Sequence, residues 1–163
     1  MKKIDKKSQI KILKIILIMI WMITIFIFSG QQGTQSSNAS KNFTIIFIQI
    51  VTGKNLSLNN PFVETMQLFV RKFAHFTIYA IGGFLIMNYS YTIEKTMKKK
   101  ILYSTIFGGI YAITDEVHQF FIPGRSAQIW DVFLDTSGVI AGVFVYIILR
   151  KVIERIRNKA KVV

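Results

Sequence analysis

The sequence contains no cysteine, which excludes both a disulfide framework and a thiolate metal site. Acidic residues are scarce, 8 against 21 lysines and arginines, and the formal net charge is +13. There is no G-x-S-x-G, no H-E-x-x-H and no phosphate-binding glycine loop. Any nucleophile would therefore have to be an aspartate, a histidine or a water. Internal repeats and low-complexity tails are also absent. The basic excess raises nucleic acid as a partner, but its distribution argues against one. The cations cluster beside hydrophobic runs and form no stripe interleaved with stacking aromatics.

What is present in quantity is apolar surface. Hydrophobic residues make up 52% of 163 residues, 14 of them phenylalanine, and the mean hydropathy is +0.43. The length fits one domain, 1–163, and the composition that of a bilayer protein. Four segments approach the ~20 residues needed to cross hydrocarbon. They are 10–28, 73–91, 101–121 and 129–149. The first follows a basic stretch, as a signal peptide does. Its apolar run is long, however, and SGQQGTQSS offers no strong cleavage site, so a retained span is expected. The predicted class is all-α: a polytopic membrane protein with four transmembrane helices.

Charge sets the expected direction. Segments 1–14, 92–100 and 150–163 carry 16 of the 21 basic residues, and four spans put all three on one side. The positive-inside rule then places both termini in the cytoplasm of a bacterial cell, with the protein in its cytoplasmic membrane. Segment 29–70 lies outside. Its first part, SGQQGTQSSNAS, reads as polar and turn-like. The run 43–51 is too short to span and is expected to be interfacial or re-entrant. Asn60, Pro61 and Glu64 form a helix-start signal, so the second helix should begin before the bilayer.

The ionisable residues inside the apolar segments collect at one end. At 100° per residue, Asp115 and Gln119 share a side of the third helix, with Ser104, Gly108 and Ala112 below them. Glu116 and His118 flank that side, and Val117, Phe120 and Phe121 oppose it. In the fourth helix Asp131 and Asp135 stand one turn apart above Gly138 and Gly142. In the second, Arg71, His75, Tyr79 and Gly82 share a face, with Lys72 beside them. Pro123-Gly124 should turn the chain tightly and hold Arg125 above the set. Small residues at helical spacing mark close helix contact, and ionisable groups at membrane depth mark a functional site by default. Simpler readings exist for single residues: Lys72 as an interfacial anchor, Asp131 as a first-turn acid, His75 as an interhelical hydrogen-bonder.

These segments also resemble a known family. "RKFAHFTIYAIGGF", "DEVHQFFIPGR" and "DVFLDTSGVIAG", with "IFIFSGQQ" after the first span, are similar in order and spacing to VanZ-like membrane proteins. That family is named for a protein linked to teicoplanin resistance. The resemblance implicates Arg71, Lys72, His75, Asp115, Glu116, His118, Gln119, Arg125, Asp131 and Asp135 in ligand binding.

Three function classes fit. The first is an envelope protein binding an amphiphile head group, a lipoglycopeptide or a lipid-linked wall intermediate, with membrane lipid as its other partner. There Arg71, Lys72 and Arg125 would hold phosphate or carboxylate, and Asp115, Glu116 and Asp135 hydroxyls or amines. The second is a membrane-embedded hydrolase or transferase using His75, Asp115, Glu116, His118 or Asp135 as acid, base or nucleophile. The third is a small transporter or flippase. No cofactor is expected, although Asp115, Glu116, His118 and Asp135 are donor types that a divalent metal accepts.

Overall fold

A computed structural model describes residues 5–53 and 55–160. Lys2, Lys3, Lys54 and Lys161, which enter the charge argument, lie outside the described residues. The chain is all-α, with the order α1 (Lys6–Ser29), α2 (Gly33–Thr52), α3 (Pro61–Ile93), α4 (Met97–Phe120) and α5 (Ile129–Lys159). Helices α1, α3 and α5 are long and apolar enough to cross a membrane. Helix α4 has the length, 24 residues, but carries lysines in its first turn and Asp115, Glu116 and His118 in its last turns. The set agrees broadly with four spans.

The helix ends follow local chemistry. Asp5 accepts a hydrogen bond from the Ser8 amide at 2.7 Å and caps α1, which holds its carboxyl below the usual range. Asn60 caps α3 through the Phe62 amide at 2.9 Å, and Pro61 occupies the first helical position. Helix α3 has 33 residues, about 50 Å at 1.5 Å per residue. It therefore overruns the ~30 Å hydrocarbon layer, and its first turns project past the polar site.

Those first turns pair with α2, where the structure corrects the sequence reading. The segment expected to be turn-like, SGQQGTQSSNAS, turns only at its start. From Gly33 it is helical and continues through Phe43 and Ile50 to Thr52 as a single 20-residue helix. Its polar side chains do not go to water alone. The Ser37 hydroxyl donates to Gln67 at 3.2 Å, and Lys41 meets Glu64 at 3.1 Å. Helices α2 and α3 thus form an antiparallel hairpin zipped by polar contacts, with Phe43, Phe47 and Ile50 turned outward.

Small residues let the helices approach closely around a core that includes Trp21, Tyr79, Ile86 and Met87. The outer surface of the bundle is apolar, with Ile20, Ile110 and Phe144 all more than half exposed. In lipid such side chains gain nothing from self-association, so close packing has to hold the helices together. A Cβ on Gly138 would stand 2.5 Å from the Phe76 carbonyl oxygen, and one on Gly108 2.6 Å from Val139. Gly83 and Gly142 likewise press directly on the backbones of Val139 and Ala80. The small-residue stripes expected on α4 and α5 are buried: Ser104, Gly108 and Ala112 on one, Gly138 and Gly142 on the other. Trp21 locks α1 to α3 by donating its indole N–H to the Ile78 carbonyl at 2.8 Å and meeting Tyr79 edge-on.

Candidate functional site

The turn between α4 and α5 builds the roof of the site. The Arg125 amide donates to the Ile122 carbonyl at 3.1 Å, with Pro123 and Gly124 between them. Gly124 has φ +75, so the turn needs a residue that tolerates the left-handed region. Gly33 at the start of α2 packs against this glycine and donates its amide to Pro123 at 3.1 Å. The turn therefore aims Arg125 back over the bundle.

Arg125 is heavily engaged there. Its Nε and terminal nitrogens donate to the Gln31 carbonyl at 2.9 Å, the Phe28 carbonyl at 3.0 Å and Gln119 Oε1 at 2.8 Å. Phe28 lies in the last turn of α1 and Gln31 just beyond its end, where carbonyls have no i+4 amide to accept from. Burial, and then the neighbouring Arg71, lower the Arg125 pKa from its ordinary value, while Asp115 and Glu116 oppose them. A guanidinium stays charged under such shifts. Gln119, itself buried, passes the contact on by donating to Asp115 Oδ2 at 3.0 Å.

Beneath this chain lie the buried acids. Asp115 and Asp135 are 4% and 1% exposed, and each keeps one carboxylate oxygen, Oδ1, with no hydrogen-bond partner among the described residues. His75 Nδ1 lies 3.7 Å from Asp135 Oδ2. The fully buried Tyr79 hydroxyl makes no hydrogen bond of good geometry among the described residues and sits in the field of both aspartates, Asp115 the nearer influence.

Two cavities meet at this point. A polar one of about 140 Å³ is lined by Arg71, Lys72, His75, Gln119, Arg125, Gln128, Asp131 and Asp135. A larger one, about 350 Å³, runs between α1, α2 and α3 past Ile25, Phe28, Ala39, Ala74 and Ile78. Arg71, His75 and Arg125 line both. At the rim of the polar cavity Lys72 and Asp131 form an ion pair at 2.6 Å. Arg71 makes no ion pair among the described residues.

The structure thus brings Arg71, Lys72, His75, Gln119, Arg125, Asp131 and Asp135 to one cavity, with Asp115 joined to it through Gln119. Two candidates point elsewhere. Glu116 Oε1 accepts the Gln128 amide at 2.6 Å, satisfying the start of α5, and lines an apolar cleft beside Val117 and Phe120. His118 stacks on Phe26 of α1 with ring centroids 4.2 Å apart. Tyr79 was not among the candidate ligands, though its place one turn from His75 on the polar face is the signal that finds it.

The model of the VanZ/LLP1 family matches residues 14–150, a range that contains every residue of both cavities. No curated protein and no solved structure matches the chain.

Proposed function

The chain belongs to the VanZ/LLP1 family, and we propose that this member binds an amphiphile with an anionic head group at the outer face of the bacterial cytoplasmic membrane. The observation that carries the reading is the junction of the two cavities. A polar chamber and a mostly apolar cleft share Arg71, His75 and Arg125. An amphiphile has the same division, and the chain lays its ionic contacts where the two parts would join. Arg71 is the principal anion contact, because its guanidinium fork lines both spaces without a carboxylate partner among the described residues. Lys72 supplies positive charge at the rim, shared with Asp131. Arg125 adds the N–H donors that its three internal bonds leave over. The outer placement rests on segments 1–14, 92–100 and 150–163, which carry 16 of the 21 basic residues and whose described parts gather at the opposite end of the bundle.

A lipid-linked wall intermediate or a lipoglycopeptide fits this chemistry, and binding of the second would connect the site with teicoplanin resistance. Native mass spectrometry of the purified protein tests the reading. An anionic lipid or lipid-linked species should accompany the wild type and be depleted from Arg71→Gln. Identical lipid profiles in the two would refute it.

A second reading, hydrolysis or group transfer on the same class of molecule, is favoured by one observation. His75 beside Asp135 places an imidazole and a carboxylate in the polar cavity, the pairing that general acid–base chemistry uses. Incubating the co-purified species with wild type and with His75→Gln separates a binder from an enzyme.

A further inference from the structure

Three helices each contribute one metal-type donor to a single point: His75 from α3, Asp115 from α4 and Asp135 from α5. One nitrogen and two carboxylate oxygens lie within 4.8 Å of one another. Acidic clusters are common without an ion, so the argument rests on what surrounds this one. Both carboxylates are more than nine-tenths buried, and each keeps an oxygen, Oδ1, without a hydrogen bond of good geometry among the described residues. Gln119 donates to Asp115 Oδ2 at 3.0 Å, and His75 approaches Asp135 Oδ2 at 3.7 Å. The buried Tyr79 hydroxyl, without a hydrogen bond of good geometry among the described residues, interacts with both carboxylates. Two buried carboxylates this close repel each other, and a partly exposed imidazole at 3.7 Å is weak compensation for both. A cation between them would satisfy the repulsion and the orphan oxygens together.

We propose that His75, Asp115 and Asp135 bind a divalent first-row transition metal ion of the zinc or manganese type. One imidazole with two carboxylates is a mixed nitrogen and oxygen set, which suits those ions better than magnesium or calcium. Ligands about 2.1 Å from a tetrahedral ion stand roughly 3.4 Å apart, so small side-chain rotations close the observed set. Three protein ligands leave a coordination position open, as in catalytic rather than structural sites. His75 and Asp135 also line the polar cavity, so the open position would face whatever Arg71 holds. This set differs from the donors the sequence suggested, because Glu116 and His118 turn away and His75 takes their place. The inference does not depend on the amphiphile reading, since metal binding is measured with no amphiphile added.

The test uses the full chain in detergent, carrying an affinity tag without histidines. Elemental analysis after gel filtration should find one transition metal ion per chain, or one taken up on adding zinc or manganese. Chelator should lower the melting temperature, and zinc or manganese at about a hundredfold excess over Kd should restore it by roughly 5–10 °C. Magnesium and calcium at the same concentration should not. The double variant Asp115→Asn/Asp135→Asn should hold no metal, with melting that ignores chelator, while the surface variant Glu154→Gln behaves as wild type. If the double variant fails to fold, a manganese titration of chelated wild type followed by electron paramagnetic resonance still decides, by showing one saturable site or none. The proposal is overturned if wild type takes up no metal and its melting ignores both chelator and metals. It is equally overturned if the double variant keeps its metal. Carboxylates that share a proton instead would give the first of these results.

Discussion

Asp135 Oδ2 stands 3.7 Å from Nδ1 of His75, across the crossing of α3 and α5 that glycines 83, 138 and 142 make possible. The pair exists because these helices approach closely enough for a short carboxylate to reach a ring on the next helix. Its energetics depend on a third residue, Asp115, whose carboxylate lies within 4.8 Å of the same set.

That proximity gives the first prediction. With a chelator present, Asp135→Asn should melt at or above the wild-type temperature, because it keeps the shape and removes a like-charge repulsion. At 4.8 Å, the widest separation in the set, two unit charges repel by about 3.5 kcal/mol at an effective dielectric of ~20. Circular dichroism melts of the two proteins in chelator check it. A loss above ~2 kcal/mol would mean that His75 needs Asp135 more than Asp115 is disturbed by it.

Two arginines of one cavity should part company under the same substitution. Arg125→Gln removes three internal bonds, one to a carbonyl in the last turn of α1 and one to the Gln31 carbonyl just beyond it. At ~1.5–3 kcal/mol for a bond to a charged group, partly offset by water, a net loss of about 2–4 kcal/mol follows. Arg71→Gln breaks no ion pair among the described residues and should stay within ~0.5 kcal/mol of wild type. Its deficit should appear in retention of anionic lipid instead. Equal melting losses in both variants would show that Arg71 is structural too.

The sequence made much of this visible, and the parts it hid have physical causes. Asp115, Gln119, Asp135, Gly138 and Gly142 fall on the predicted faces because a 100° step and a small-residue stripe together fix which side is inward. The same step places Glu116 and His118 on the flanks of Asp115, where they meet whichever helix lies beside α4. Which helix that is depends on packing, and packing sends Glu116 to the start of α5 and His118 to Phe26 of α1. Helix α2 was hidden for another reason. Its serines and glutamine suggest a turn locally, and only the partners on α3, Gln67 and Glu64, make a helix of them. The double role of Arg125 was equally illegible, since its acceptors at Phe28 and Gln31 are backbone carbonyls that carry no sequence signal.

Packing at the crossing should be less forgiving than the charges. A Cβ on Gly138 would lie 2.5 Å from the Phe76 carbonyl oxygen, and backbone does not move aside as a flexible side-chain end does. Gly138→Leu is therefore expected to cost more than the ~1–3 kcal/mol of ordinary overpacking. It should lower the yield of folded protein in detergent more than Asp135→Asn does. Comparable yields from the two variants would show that the helices can separate at little cost, and that the glycines do not set the His75–Asp135 distance.

The last prediction concerns which way the bundle faces, on which the outer placement of the site depends. Helices α1, α3, α4 and α5 alternate in direction, so the basic ends, at Lys14, Lys98 and Arg150, gather at one level and the Arg125 turn lies at the other. Lys14 confirms the alignment by donating to the Asn88 carbonyl at 2.9 Å and the Thr92 hydroxyl at 2.8 Å. Segments 1–14, 92–100 and 150–163 carry 16 of the 21 basic residues, so the level where their described parts gather should be cytoplasmic. A reporter that works only in the cytoplasm should be active after Val163, and one that works only after export should be active when inserted at Asn55. Single cysteines in this cysteine-free chain give a second readout. An impermeant thiol reagent added to whole cells should label Ser126→Cys in the α4–α5 turn and leave Lys95→Cys, between α3 and α4, untouched. The reverse pattern would put the Arg71 cavity in the cytoplasm, and the amphiphile it serves would then have to be an inner-leaflet one.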